Sequence, residues 1–281
     1  MTKQRKIAWI TDSTATLSKE YIAQHHIYVV PLEIIFGSES FKEDVDITAE
    51  AFYKRLEESK ELPKTSQPAI GEFVSLYEKL KGEYEYVIAI HASSALTGTY
   101  QTSVSAAAMV GLPIEIIDSK IGSYALGKMV QKGIELEQQG RTYEEIVSYL
   151  QTLPDKGRLY MIPGSLEQLH KGGRVSTTQA FIGNLIKLRL LIKFDEGKAV
   201  LFDKIRTDSK AKARLYGILD ADASHIKEAS IIHGNDPEKA MVWKRELEQI
   251  YPHVKFTMTM FSPVAGTHTG QGTIGLTWIS E

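Results

Sequence analysis

The feature that most constrains this chain is an alternation, through its first half, of short apolar runs with stretches of helical periodicity. Residues 7–11, 27–30, 86–90 and 114–117 are apolar and close on polar or small residues, which predicts strands. Between them, Phe73, Leu76, Tyr77 and Leu80 fall at i, i+3, i+4 and i+7 within 71–81, the single apolar stripe of a helix. Strands that alternate with helices predict an α/β fold with a mainly parallel sheet covered on both faces. Ligands of such sheets gather at the carboxyl ends of strands. Three small polar clusters fall there: Asp12-Ser13-Thr14, Ala92-Ser93-Ser94 and Asp118-Ser119. One hydroxyl cluster after a strand is ordinarily a helix N-cap. Three in succession predict a shared polar crevice.

The second half reads differently. Strands are predicted over 159–162, 199–202, 229–232 and 254–260, with helices near 207–222 and 236–251. Ser165-Leu166-Glu167-Gln168-Leu169 begins a further helix that runs toward Lys171-Gly172-Gly173-Arg174. Leu153-Pro154-Asp155-Lys156-Gly157 is the strongest linker signal, so the expected domains are 1–155 and 156–281. A length of 281 residues accommodates two ordinary domains or one large one.

Composition narrows the function classes. With 43% apolar and 24% charged residues, a packed core is expected. The net charge of −2 gives no electrostatic footprint for nucleic acid. The absence of cysteine excludes disulfides, thiolate zinc sites and a cysteine nucleophile. No apolar stretch approaches the ~18 residues of a membrane helix. The richest, 181–194, is interrupted by Asn184, Lys187, Arg189 and Lys193. These readings predict a soluble cytoplasmic protein without nucleic acid or stable membrane insertion.

Several motifs resemble catalytic signatures without their context. Gly122-Ser123-Tyr124-Ala125-Leu126-Gly127-Lys128 has phosphate-loop spacing, but Met129 stands where a magnesium-binding hydroxyl belongs. A strand-to-helix turn with small residues for close packing is expected there. Gly270-Gln271-Gly272-Thr273-Ile274-Gly275 matches a dinucleotide fingerprint without room for the βαβ unit. A hydrolase or phosphotransferase could be assembled from Ser93 or Ser94, His268 and Asp12, yet no G-x-S-x-G elbow presents a serine. No metal-ligand spacing is present: His25-His26 lacks a helical partner.

Four hydroxyl- and glycine-rich segments remain: Lys64-Thr65-Ser66-Gln67-Pro68, residues 91–99, Asp118-Ser119, and Gly266-Thr267-His268-Thr269-Gly270-Gln271-Gly272. Taken singly, each is a turn or a cap. Together they suit a small anionic head-group, because a partly buried carboxylate needs donors on both oxygens. Hydroxyls and glycine-freed N–H groups supply such donors.

With Ile10-Thr11-Asp12-Ser13-Thr14, Leu166-Glu167-Gln168-Leu169-His170-Lys171-Gly172-Gly173-Arg174 and Lys204-Ile205-Arg206-Thr207, these segments resemble the DegV family in order and spacing along the whole chain. The resemblance implies two α/β domains, the second with a mixed sheet, and a long-chain fatty acid between them, such as palmitate, stearate or oleate. It implies a binding protein and not an enzyme, with no cofactor and no metal. Carried over by position, Thr65, Ser93 and His268 become carboxylate contacts, with Ser66, Ser94 and Gly266 beside them. Family members in bacteria present the bound acid to a separate fatty-acid kinase, and Arg174 and Arg206 would face that partner. Burying roughly 14 methylenes at ~0.8 kcal/mol each gives on the order of 11 kcal/mol gross, so the tail would dominate affinity. Leu185, Ile186, Leu188, Leu190 and Ile192 are candidates for the tail's tunnel or for plain core. Arg189-Leu190-Leu191-Ile192 lacks the proline common in the family at that point, and Gln271 replaces another.

Overall fold

The computed structural model describes residues 5–175 and 188–280. Strand β1 (Arg5–Asp12) turns at Ser13–Ala15 into α1 (Lys19–His25) and β2 (Tyr28–Val30). There follow β3 (Glu33–Phe36), β4 (Glu39–Lys42), α2 (Ala49–Glu58) and β5 (Lys64–Ser66). The first half closes with α3 (Ile70–Leu80), β6 (Tyr84–His91), α4 (Thr99–Val110), β7 (Glu115–Asp118), α5 (Ser123–Gln138) and α6 (Tyr143–Leu150). The second half holds β8 (Gly157–Ile162), α7 (Leu166–Lys171), β9 (Arg189–Asp195), β10 (Lys198–Ile205) and α8 (Asp208–Asp222). It ends with β11 (Glu228–His233), α9 (Pro237–Ile250), β12 (Lys255–Met260), α10 (Pro263–Thr269) and β13 (Ile274–Ile279).

The expected parallel sheet is present, in the order β2-β1-β6-β7. Its central strands are buried on both faces, which is why they read as apolar runs and not as alternations. Ala8, Ile10, Val87 and Ala89 meet Phe73, Tyr77 and Leu80 of α3 together with Ala106 and Val110 of α4. Ile7, Trp9, Ile88 and Ile90 meet Ala125, Leu126, Met129 and Val130 of α5 on the other face. Gly127 lets α5 approach the backbone carbonyl of Ala15, so the glycines of 122–128 serve close packing.

The second sheet is mixed and six-stranded, in the order β10-β9-β8-β13-β11-β12; only β11 and β12 run parallel. Its strand β13 contains Gly275, the last glycine of the fingerprint-like motif, and pairs with β8 and β11. Leu159, Met161, Leu190, Ile192 and Phe261 belong to the same apolar cluster as Trp9, Ile90 and Met129. The two halves therefore share a core, and Leu153 in the connecting turn is buried within it.

A third, antiparallel sheet, β4-β3-β5, had no counterpart in the sequence reading. Its Ile34 and Phe36, with Leu32 just before β3, pack with Phe52 and Tyr53 of α2 and Val264 of α10. Leu190 and Ile192 are core residues of β9, and Leu188 packs against the same cluster. Leu185 and Ile186 lie outside the described residues. No described helix is long and apolar enough to cross a membrane.

Candidate ligand-binding site

The shared core is incomplete between the sheets, where a cavity of about 270 Å³ opens. That is close to the lower end of ligand pockets, roughly 300–1,000 Å³. Its apolar wall comes from both halves: Leu32, Ile121, Leu159, Met161, Leu169, Val175, Phe194, Ala199 and Phe261. Phe194 and Ala199 supply the lining from the β9–β10 hairpin, and Leu190 and Ile192, read as tunnel or core, belong to the core.

Thr65, Ser66, Gln67, Thr97, Arg174 and His268 form a polar part of the wall. Thr65 on β5 and His268 on α10 meet at 2.9 Å between Oγ1 and Nε2. The buried Gln168 of α7 holds α10 in place by donating to the carbonyls of Gly266 (3.2 Å) and Thr267 (3.1 Å). Just beyond α7, Gly172 lies against the imidazole, where a Cβ would stand 2.6 Å from Nδ1 of His268. Arg174 follows, donating to the carbonyls of Gly172 (2.8 Å) and Leu96 (3.4 Å). The run around Lys171-Gly172-Gly173-Arg174 is thus a mount for this wall.

Burial pushes His268 down to about 4, and the Arg174 guanidinium adds to the effect. The ring is neutral near pH 7, and its buried Nδ1 has no hydrogen-bond partner among the described residues. A carboxylate arriving here would take the Thr65 hydroxyl as donor. Thr65 Oγ1 would then accept from Nε2–H of His268, fixing that tautomer. Arg174 supplies the positive charge that a neutral imidazole does not.

Ser93, Ser94 and Gly266 sit beside this wall without lining the cavity. Ser93 is fully buried and donates to the Gly197 carbonyl at 2.7 Å, tying the β9–β10 turn to the parallel sheet. Ser94 donates to Asp118 at 2.5 Å and lines a shallow surface pocket with Arg174 and Lys198. Gly266 makes room for α2, since a Cβ there would stand 2.6 Å from Oη of Tyr53. Arg174 is exposed at the cavity, while Arg206 is exposed just past the end of β10, away from it.

The alternative hydrolase cluster of Ser93 or Ser94, His268 and Asp12 is not assembled. Asp12 instead accepts from Nδ1 of His91 at 3.3 Å, from the Ala92 N–H at 2.8 Å, and from both the Thr14 N–H and hydroxyl. Nε2 of His91 reaches the Ser103 hydroxyl at 3.0 Å, which contacts the Tyr77 hydroxyl at 2.5 Å. This has the order of a catalytic triad, but Asp12, His91 and Ser103 are all 0% exposed and none lines the cavity. A nucleophile must reach its substrate. The array is structural.

Glu43 was not singled out from sequence. It is 1% exposed, accepts from Ser13 and from the Val264 N–H (2.9 Å) at the start of α10, and joins the first sheet to the helix that carries His268. Burial pushes its carboxyl up to about 7, against the opposing pull of the Ser13 and Val264 hydrogen bonds. Its stretch, Glu43-Asp44-Val45-Asp46, has the composition of a solvated turn and gave no signal.

The whole of this architecture has close relatives. The family described as "Uncharacterised protein, DegV family" matches residues 6–281. The protein DegV of Bacillus subtilis is 41% identical over 276 residues, covering 97% of this chain and 98% of that one. A crystal structure of DegV, a fatty acid binding protein from Bacillus subtilis, superposes with a TM-score of 0.90 at 40% identity, over 99% of this chain and 100% of that one. A fatty acid binding DegV family protein from Streptococcus agalactiae gives 0.92 at 30% identity, over 99% of each chain. By sequence and by fold, the chain belongs to the DegV family.

Proposed function

We propose that this protein binds one long-chain fatty acid between its two halves, 1–155 and 156–281, and does no chemistry on it alone. The observation that carries this reading is the cavity itself, apolar over most of its wall and polar at Thr65, Ser66, His268 and Arg174. Arg174 attracts a carboxylate, the Thr65–His268 pair orients it, and the tail occupies the apolar wall. Ser93, Ser94 and Gly266 act as the layer that fixes these contacts. The fatty acid binding recorded for structures similar over nearly the whole chain supports the same ligand class. One of them, from Eubacterium ventriosum, is described as a stearic acid-binding protein.

A carrier needs a consumer. We assign that part to a fatty-acid kinase in the cytoplasm, which would receive the carboxylate at the exposed Arg174 with Arg206 on the docking rim. Isothermal titration with palmitate and oleate, on the wild type and on Thr65→Ala and His268→Ala, tests the site. Both variants should bind more weakly while leaving the fold intact. Hydrolysis of acyl esters by the isolated wild type, abolished by His268→Ala, would instead establish an enzyme.

A further inference from the structure

The cavity has a second polar place that the head-group does not use. Thr14, at the carboxyl end of β1, and Gly122 and Ser123, at the start of α5, also line it. They share no hydrogen bond with the Thr65–His268 pair. Ser123 is 5% exposed, and its buried hydroxyl has no partner among the described residues. Its backbone is held at φ +58°, in the left-handed region that disfavours a side chain. The 16-residue helix α5 begins here with no side-chain cap on its first turn. A cavity meant only for a hydrocarbon chain has no use for an orphaned hydroxyl and bare N–H groups.

The donors and acceptors present select the partner. Ser123 offers an unused O–H. Thr14 gives its own hydroxyl proton to Asp12 at 2.5 Å, so its oxygen faces the cavity as an acceptor only. A Cβ on Gly122 would stand 3.9 Å from that oxygen, so Thr14 borders the turn that carries Ser123, and both residues line the cavity. A second carboxylate would suit Ser123 but find an acceptor in Thr14, with the carboxyl groups of Asp12 and Glu43 behind the same wall. An alcohol accepts from one and donates to the other.

We propose that Thr14, Ser123 and the open start of α5 form a subsite for a hydroxyl group carried on the acyl chain, so that the ligands include hydroxylated fatty acids. This rests on the fatty-acid reading above and deepens it. In a plain apolar tunnel, a mid-chain hydroxyl must be dehydrated without compensation and weakens binding.

The test titrates full-length protein with hexadecanoic acid and with its monohydroxy isomers, moving the hydroxyl along the chain. At one or two positions the hydroxy acid should bind at least as tightly as palmitate. Ser123→Ala should weaken that isomer fivefold or more and change palmitate less than twofold. Ser123→Gly, which suits the left-handed backbone, should repeat the result. Uniform weakening of every isomer by tenfold or more in the wild type would overturn the subsite while palmitate binding leaves the carrier intact. Equal loss for palmitate and its hydroxy isomers in both variants would also overturn it, assigning Ser123 to structure. Failure of palmitate itself to bind would remove the carrier reading and the subsite together.

Discussion

Two polar clusters flank the same core, and they differ in how completely they are satisfied. The Asp12–His91–Ser103–Tyr77 array is sealed, and its polar atoms have partners within the protein. The Thr65–His268–Arg174 cluster faces a cavity and, among the described residues, leaves Nδ1 of a neutral imidazole without one. Folding selects the first kind of arrangement, because each unpaired buried group costs about 1–3 kcal/mol. The second kind persists where a ligand completes its cavity-facing donors, here the Thr65 hydroxyl and the Arg174 guanidinium. By that contrast, the triad-like geometry of the first cluster belongs to stability and the plainer second cluster to recognition.

Substitutions should separate the two. Asp12→Ala strips the acceptor from two backbone N–H groups and from His91, and should lower unfolding free energy by about 3–5 kcal/mol in urea titrations. Should Asp12→Ala instead fold normally and lose only ligand affinity, the division would be wrong.

The pH dependence of stability offers a finer separation. Between pH 4.5 and about 7 the folded chain holds a proton on Glu43 that the unfolded chain has released, so stability falls as pH rises, by about 3 kcal/mol in all. Between pH 4 and 6.5 the unfolded chain binds a proton at His268 that the folded chain refuses, so stability rises with pH by a similar amount. The two slopes oppose each other in the wild type. Glu43→Gln should expose the rise and His268→Ala the fall, both read from denaturation midpoints across pH 4–7.5.

His268→Ala should also weaken palmitate binding, by about 2–10-fold, because the neutral imidazole acts on the carboxylate only by orienting the Thr65 hydroxyl. Gly172→Ala crowds the imidazole while keeping it, and should reproduce part of that loss. Arg174→Ala, at an exposed position, should weaken binding by no more than about fivefold, with the deficit vanishing in high salt.

The four parallel strands were legible as short apolar runs, which burial on both faces makes continuous in the central β1 and β6. β4 and β5 were not. They are short and polar, with the sequences Glu-Ser-Phe-Lys and Lys-Thr-Ser, and become strands only by pairing with β3. At the site, Thr65, Ser66, Arg174 and His268 stand on the cavity wall; the family pattern offered Thr65, Ser66 and His268 as head-group residues and Arg174 as a partner-facing one. That Thr65 and His268 touch across 203 positions is a property of the fold. Ser93 was carried over from the family pattern as a ligand contact, and a hydroxyl after a strand looks the same in sequence whether it faces a cavity or a carbonyl. Only the β9–β10 turn, 104 positions away, decides between them. Asp12 and His268 were placed in one hypothetical triad because the sequence cannot say which histidine a buried carboxylate meets.

Native mass spectrometry of freshly purified protein, before and after incubation with palmitate or oleate, addresses the unsatisfied cluster most directly. The cavity predicts one bound C14–C18 acid per chain, either carried through purification or acquired on incubation, and released by organic extraction. A chain that carries no such acid and gains no mass with either would contradict it, and would return the polar wall to an enzyme of a different substrate class.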